Sequence, residues 1–411
     1  MRRRIILWGG LGAVVLAAAI GAGLILSLPP APAAASPAPV PAGEAAAALA
    51  ALKPPKRDRP VIAIIGINDA TETTDYLMPY GILKRADVAE VVLLATEPGP
   101  VKLYPALTVE ADSTTAAFDA AHPQGADYVI VPAMSRDDDP AALAWIRKQA
   151  AGGATIIGVC AGAVVVGETG LLDGRRATTH WYFLKRLRKG RPEVRYAPDR
   201  RLVVDGRVAT TTGISASMPM ALTLIEAIAG RGKAEAVARE LGLASWDARH
   251  DSGAFRLNRP FALTVMGNKL AFWNRETLGL ALTPGMDEVS LALVADAWSR
   301  TYRSRAATFA EGPVTTRSGV RILPDEATTD WPEARRLEDV GARRPAGALD
   351  TTLAEIESRY GRRTADVVAM QLEYSRRAGP AEPAAAAGVG EAWPSIRPTP
   401  TPQTSIPANR G

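Results

Sequence analysis

The sequence predicts an α/β fold built on a parallel sheet with helices over both faces. Short apolar, β-branched runs of strand length stand at 61–67 (VIAIIGI), 91–95 (VVLLA), 128–133 (YVIVPA) and 155–160 (TIIGVC). They alternate with helical stretches around Asp75 to Arg85 and Pro140 to Ala150. Runs this uniformly apolar suit strands buried on both faces, the condition of a parallel sheet, in which ligands sit beyond the C-terminal strand ends.

The ends differ in composition from this middle. Residues 5–28 are 24 residues without a charge, preceded by Arg2, Arg3 and Arg4. At ~1.5 Å per residue such a run covers a ~30 Å hydrocarbon layer, and the positive-inside rule places the N-terminus in the cytoplasm. The expectation is a single-pass protein of a bacterial inner membrane with its main domain periplasmic. The alternative is secretion after signal cleavage near Ala33 to Ser36. Residues 1–28 are thus an expected anchor, 29–58 a Pro/Ala-rich linker, 59–250 and 251–375 the body, and 376–411 a disordered tail.

With 411 residues the chain has room for two domains. Its net charge of +5 includes the three N-terminal arginines, which leaves no reason to expect nucleic acid as a partner. The basic run Lys185, Arg186, Arg188, Lys189 and Arg191 has no aromatic interleaving and reads as a solvated helix face. One cysteine and three histidines exclude an intrachain disulfide and a Cys/His zinc cluster, and no cofactor or metal is expected.

The sole thiol stands at an informative place. In TIIGVCAGAVVVGE, Cys160 lies where a buried strand turns into a helix, among the small residues Gly158, Ala161, Gly162 and Ala163. A helix N-terminus there would favour the thiolate and lower the thiol pKa. The other reading is an inert cysteine buried in an apolar strand.

The segment GVCAGAVVVGETGLLDGRRATTHW, followed by VVDGRVATTTGISASMPMALTLIEAI, resembles the DJ-1/PfpI family. The likeness runs from about Val61 to Ala248 and is greatest to the sensor domains of AraC-type transcription regulators, although no helix-turn-helix is visible after His250. It implies a flavodoxin-like sandwich, the class I glutamine amidotransferase-like fold. By position, Cys160 matches the reactive cysteine, Asp75 the acid on the first helix that hydrogen-bonds the sulfur, and His180 the histidine that would activate the thiol or return a proton. The backbone amides of Ala133 and Ala161 match the oxyanion donors. Three departures matter. Ala161 replaces the His of protease-type members, so protease activity is not supported. Pro132-Ala133-Met134 stands for the usual P-G-G, where Ala narrows the accessible φ. Pro219 stands where related sensor domains carry Asp.

The chain then begins to repeat itself. Aligning Gly99-Pro100-Val101 with Gly312-Pro313-Val314 gives an offset of 213 and sets Glu288 on Asp75. Residues 348–369 match 217–238 at an offset of 131, pairing Ile356 with Ile225, Glu357 with Glu226 and Gly361 with Gly230. Residues 251–375 therefore read as a shortened copy without the cysteine elbow, either capping the first copy as an internal pseudo-dimer or leaving it to form a homodimer.

Two functions are expected. One is a membrane-anchored domain that binds or senses a small molecule at Cys160. The other is a Cys-dependent hydrolase, hydratase or amidase-like enzyme with Cys160 as nucleophile, His180 as shuttle, Asp75 as thiol partner and the Ala133 and Ala161 amides as oxyanion donors. A transcription regulator proper is disfavoured, and the ligand or substrate is not legible.

Overall fold

A computed structural model describes residues 21, 23–32, 37–341 and 343–376. After helix α1 (Ala42–Ala51) come β1 (Val61–Gly66), β2 (Asp69–Glu72), α2 (Thr73–Ala86), β3 (Glu90–Ala95), β4 (Val101–Tyr104), β5 (Thr108–Glu110) and β6 (Ser113–Thr114). The chain continues through α3 (Thr115–Ala121), β7 (Tyr128–Val131), α4 (Pro140–Ala151), β8 (Thr155–Gly158), α5 (Gly162–Glu168), β9 (Arg176–Ala177) and α6 (Leu184–Gly190). The first half closes with β10 (Arg195–Tyr196), β11 (Leu202–Asp205), β12 (Val208–Thr211), α7 (Ser217–Ala229) and α8 (Arg231–Leu241). Helix α9 (Arg259–Leu270) leads to β13 (Glu276–Ala281), α10 (Glu288–Ser299), β14 (Ser304–Ala310), β15 (Val314–Thr315), β16 (Arg321–Leu323), β17 (Glu326–Ala327), α11 (Pro345–Tyr360) and α12 (Arg362–Gln371).

The apolar runs become a seven-stranded sheet in the order β11-β12-β8-β7-β1-β3-β6. All its pairs are parallel except β11 with β12. Alternation along β1 feeds two cores: Ile62 and Ile64 face α2, α7 and the second half, while Val61, Ala63 and Ile65 face α4 and α5. The second half carries a three-stranded parallel sheet, β13-β14-β17. A five-stranded sheet, β15-β16-β5-β4-β2, joins the halves through the antiparallel pair β5–β16. Beside it α2 and α10 are buried along nearly their whole length, which explains why neither shows a polar face in sequence.

Two expectations about the ends change. The single-pass inner-membrane placement with a periplasmic body is overturned, because among the described residues no helix is long and apolar enough to cross a membrane. Helix is described only up to Ser27, ahead of Pro29-Pro30, and the Leu28 and Pro29 carbonyls accept hydrogen bonds from Arg259 on the body. Residues 5–20 and 22 of the expected span lie outside the described residues. The Pro/Ala-rich linker, in which no helix was expected, contains α1: the alanine-rich sequence AGEAAAALAA has high helix propensity. Glu44 fastens it to Arg176 and Arg200, and the Leu52 carbonyl accepts from Tyr128 Oη at 2.7 Å. Residues 377–411 of the expected tail also lie outside the described residues. The basic run does form an exposed helix, α6, with only Leu187 buried.

Candidate functional site

Three neighbouring strands deliver three groups to one point. Cys160 follows β8, Ala133 follows β7, and Asp75 sits in the first turn of α2 beyond β1 and β2. All lie past the C-terminal strand ends, where the strand order reverses direction between β7 and β1.

Cys160 occupies a tight elbow with φ of 56°, a left-handed conformation a non-glycine residue adopts only where its surroundings enforce it. Its N–H donates to Thr211 Oγ1 at 3.1 Å, and its carbonyl accepts from Thr179 Oγ1 at 3.0 Å. Gly162 lets the following helix approach β7, since a Cβ there would stand 1.9 Å from the Val131 carbonyl oxygen. The residue is only 7% exposed. Burial raises the thiol pKa well above its ordinary value, helped by the carboxylates of Asp75, Glu72 and Glu373 and opposed by the Ala161 amide. The expected lowering by the helix N-terminus is therefore reversed: a seven-residue helix does not outweigh burial beside three acids.

Asp75 is fully buried. Its N–H donates to Glu72 Oε2 at 2.6 Å, so Glu72 caps the helix. Its Oδ2 accepts from the Ala133 amide at 3.1 Å, while Oδ1 is buried without a partner. Burial, then the Glu72 carboxylate, push its pKa well up, so the group holds a proton far above the usual carboxylate range. That proton belongs on Oδ1, the oxygen the amide leaves free.

A raised acid pKa stabilises the folded state below the unfolded pKa of about 4 and costs stability as pH rises above it. Asp75→Asn, isosteric with the protonated acid, should raise Tm at pH 7 and lose that advantage below pH ~4. An unchanged or lower Tm at pH 7 would refute the protonated assignment.

The Ala133 amide is spent on Asp75 and not offered to an oxyanion, contrary to the expected role. Its loop is clamped by Glu72 N–H to the Ala133 carbonyl and Ser135 N–H to the Ala70 carbonyl, both 2.9 Å. Ala133 does not adopt positive φ, so the loop does not need the family's glycine. His180 lines the same cavity as Cys160. Nε2 bonds the Gln371 carbonyl at 2.9 Å and Nδ1 accepts from the Tyr182 amide at 3.2 Å. These partners assign the neutral Nε2–H tautomer, and burial lowers the ring's pKa. With both nitrogens committed, His180 shapes the pocket and does not reach for the thiol proton.

Several site residues had no signal at the sequence level because they come from the second half. Arg300 bonds Glu72 Oε1 at 2.8 Å and Asp296 Oδ1 at 2.6 Å. Glu373 accepts from the Gly213 amide at 2.6 Å and meets His250 Nε2 at 3.0 Å. A cavity of about 870 Å³ opens over Cys160, with Arg300, Gln371 and α9 in its walls. A second cavity, about 940 Å³ between α1 and the β11 edge, is lined by neither cysteine nor histidine. Among the described residues no group of three His, Cys, Asp or Glu side chains is placed to hold a metal ion.

The elbow on a doubly covered parallel sheet and the facing acid accord with one family, and residues 61–227 match it: the DJ-1/PfpI family. Residues 61–227 form a DJ-1/PfpI family domain. Isonitrile hydratase of Pseudomonas putida is 39% identical over 105 residues, 25% of this chain and 44% of that protein. The HTH-type transcriptional regulator CdhR of Pseudomonas aeruginosa is 29% identical over 197 residues, 47% of this chain and 55% of the regulator. The chain thus spans about half the length of these curated relatives. Among solved structures, oxidized DJ-1 of Toxoplasma gondii is 25% identical, covers 45% of this chain and all of its own, and has a TM-score of 0.40.

Proposed function

We propose that this DJ-1/PfpI domain is a thiol-dependent hydratase of small neutral electrophiles of the isonitrile class. The observation that carries it is a buried thiol near a buried acid, where burial favours the protonated form of each, with the Ala133 amide already committed. Acyl hydrolysis needs donors aimed at a developing oxyanion. Addition of a thiol to an isonitrile carbon creates no oxyanion and needs a proton on that carbon. Asp75 Oδ1–H gives that proton as the Cys160 sulfur bonds the carbon, and the thiol proton replaces it on Asp75. The product, R–N=CH–S–Cys160, takes up water at the same carbon. Cleavage of the C–S bond then yields R–NH–CHO and the free thiol, so R–NC and H2O become one formamide. The 39% identity to an isonitrile hydratase over 105 residues supports this substrate class.

Supplying benzyl isonitrile to the full chain and following N-benzylformamide by chromatography tests the reading. Cys160→Ala should abolish turnover and Asp75→Asn should lower it by about 10²–10⁴. No formamide from the wild type, or undiminished formamide from Cys160→Ala, would overturn it. A second reading, ligand binding or sensing without turnover, is favoured by the raised thiol pKa and by the long match to a transcriptional regulator. It predicts ligand binding with no product.

We also infer that residues 251–375 are a shortened second copy serving as a built-in partner. At the offset of 213, β5 and β6 coincide end for end with β16 and β17, and α2 largely overlaps α10. At 131, α8 corresponds to α12, each preceded by a glycine of matching backbone: Gly230 at φ 84°, ψ 166° and Gly361 at φ 85°, ψ 156°. In the β5–β16 ladder Val109 faces Ile322, its own counterpart, as across a local twofold. Glu288, counterpart of Asp75, is buried on Ser318 Oγ at 2.6 Å.

A further inference from the structure

Helix α9 is built the wrong way round for a surface helix. Its one buried residue is polar: Asn268 donates to the Thr301 carbonyl at 2.9 Å and to Thr364 Oγ1 at 3.2 Å. Its apolar residues Phe261, Val265, Met266 and Leu270, in steps of four, one and four, line the cavity over Cys160 and enter no core. An amphipathic helix ordinarily buries its apolar stripe against protein; this one anchors by an amide and turns the stripe toward the reactive thiol. Trp181, next to His180, meets Phe261 edge-on at 5.9 Å, so the stripe is continuous with the elbow side of the pocket.

Charge decides what the stripe can face. Glu72 and Glu373 place negative charge near the thiol, Asp75 beside it is neutral, and the guanidinium of Arg300 is taken up by Glu72 and Asp296. An anion close to the sulfur would meet like charge, while a neutral apolar body would dry the stripe at ~25 cal/mol per Å² of apolar surface. At about 870 Å³ the cavity is far larger than an isonitrile group alone requires and falls in the range of drug-sized ligand sites.

We propose that α9 is the specificity wall of the site, selecting neutral substrates whose reactive group carries an aryl or branched alkyl body. This rests on the hydratase reading only for the nature of the reactive group. Because Cys160 is the chain's sole cysteine, its alkylation by iodoacetamide reports occupancy without any turnover. N-Benzylformamide should protect Cys160 in the full chain at concentrations at least about tenfold lower than formamide or the anionic N-formylglycine.

Phe261→Ser and Met266→Ser, neither in a core, should each weaken that protection severalfold while leaving protection by formamide unchanged. Equal protection by formamide and N-benzylformamide, better protection by N-formylglycine through Lys269 at the mouth, or unchanged protection in both variants would overturn the proposal. Body-selective protection with no formamide product would sink the hydratase reading alone. Equal turnover of methyl and benzyl isonitrile would sink the specificity wall alone.

Discussion

Arg300→Met is expected to destabilise the chain by about 3–5 kcal/mol, because it strips the shared cation from Glu72 and Asp296 and leaves both buried. The Arg300 side chain is 14% exposed, which places the loss toward the lower end. Its two bonds do different things. The bond to Asp296 runs from the residue that ends α10 back to its last turn; the bond to Glu72 crosses to the cap of α2 and so to Asp75. Burial pushes the Asp296 pKa well up, so the variant's deficit should shrink on acidification as this carboxyl takes a proton first. Urea denaturation at pH 7 and pH 5 measures both effects. A companion variant, Glu72→Gln with Asp296→Asn and Arg300→Met, should recover much of the loss. A loss under ~1 kcal/mol, or no recovery in the companion, would show that the cluster does not bind the halves together.

Gly162→Ala should be as severe for a different reason. The added Cβ would lie 1.9 Å from the Val131 oxygen and 2.9 Å from Pro132 backbone atoms. No flexible side chain can yield there, so the end of β7 must move, and Ala133 with its grip on Asp75 moves too. A loss of about 3 kcal/mol or more in stability is expected, with turnover lost in whatever fraction still folds. Gly267→Ala, where a Cβ meets nothing within 4 Å, is the control for a simple glycine effect. Thermal melts of the two variants decide it: equal Tm values would remove the elbow's close approach as the cause.

Much of the first half was legible because its strands are short apolar runs and its elbow combines a cysteine with small neighbours. Val61, Tyr128 and Thr155 open strands where the composition says they should. Asp75, Cys160 and Ala133 do converge, since the C-terminal ends of three neighbouring central strands collect all three. The chemistry between them was not legible. Whether Ala133 N–H serves an oxyanion or Asp75 depends on the loop clamp at Glu72 and Ser135, which no spacing encodes. The direction of the Cys160 pKa depended on burial against a short helix, a balance of magnitudes and not of motifs. Arg300 lies 228 positions from Glu72 and carries no local signature. Helix α1 was hidden by proline-rich neighbours, although its own ten residues are strong helix formers.

The sheet that joins β5 to β16 lies within a single chain. A site completed by a separate subunit falls apart on dilution, because its partner is bound by mass action. Here the completing wall is tethered, so its effective concentration is set by the connection and not by how much protein the compartment holds. One chain then carries the walls of the pocket and its one thiol together.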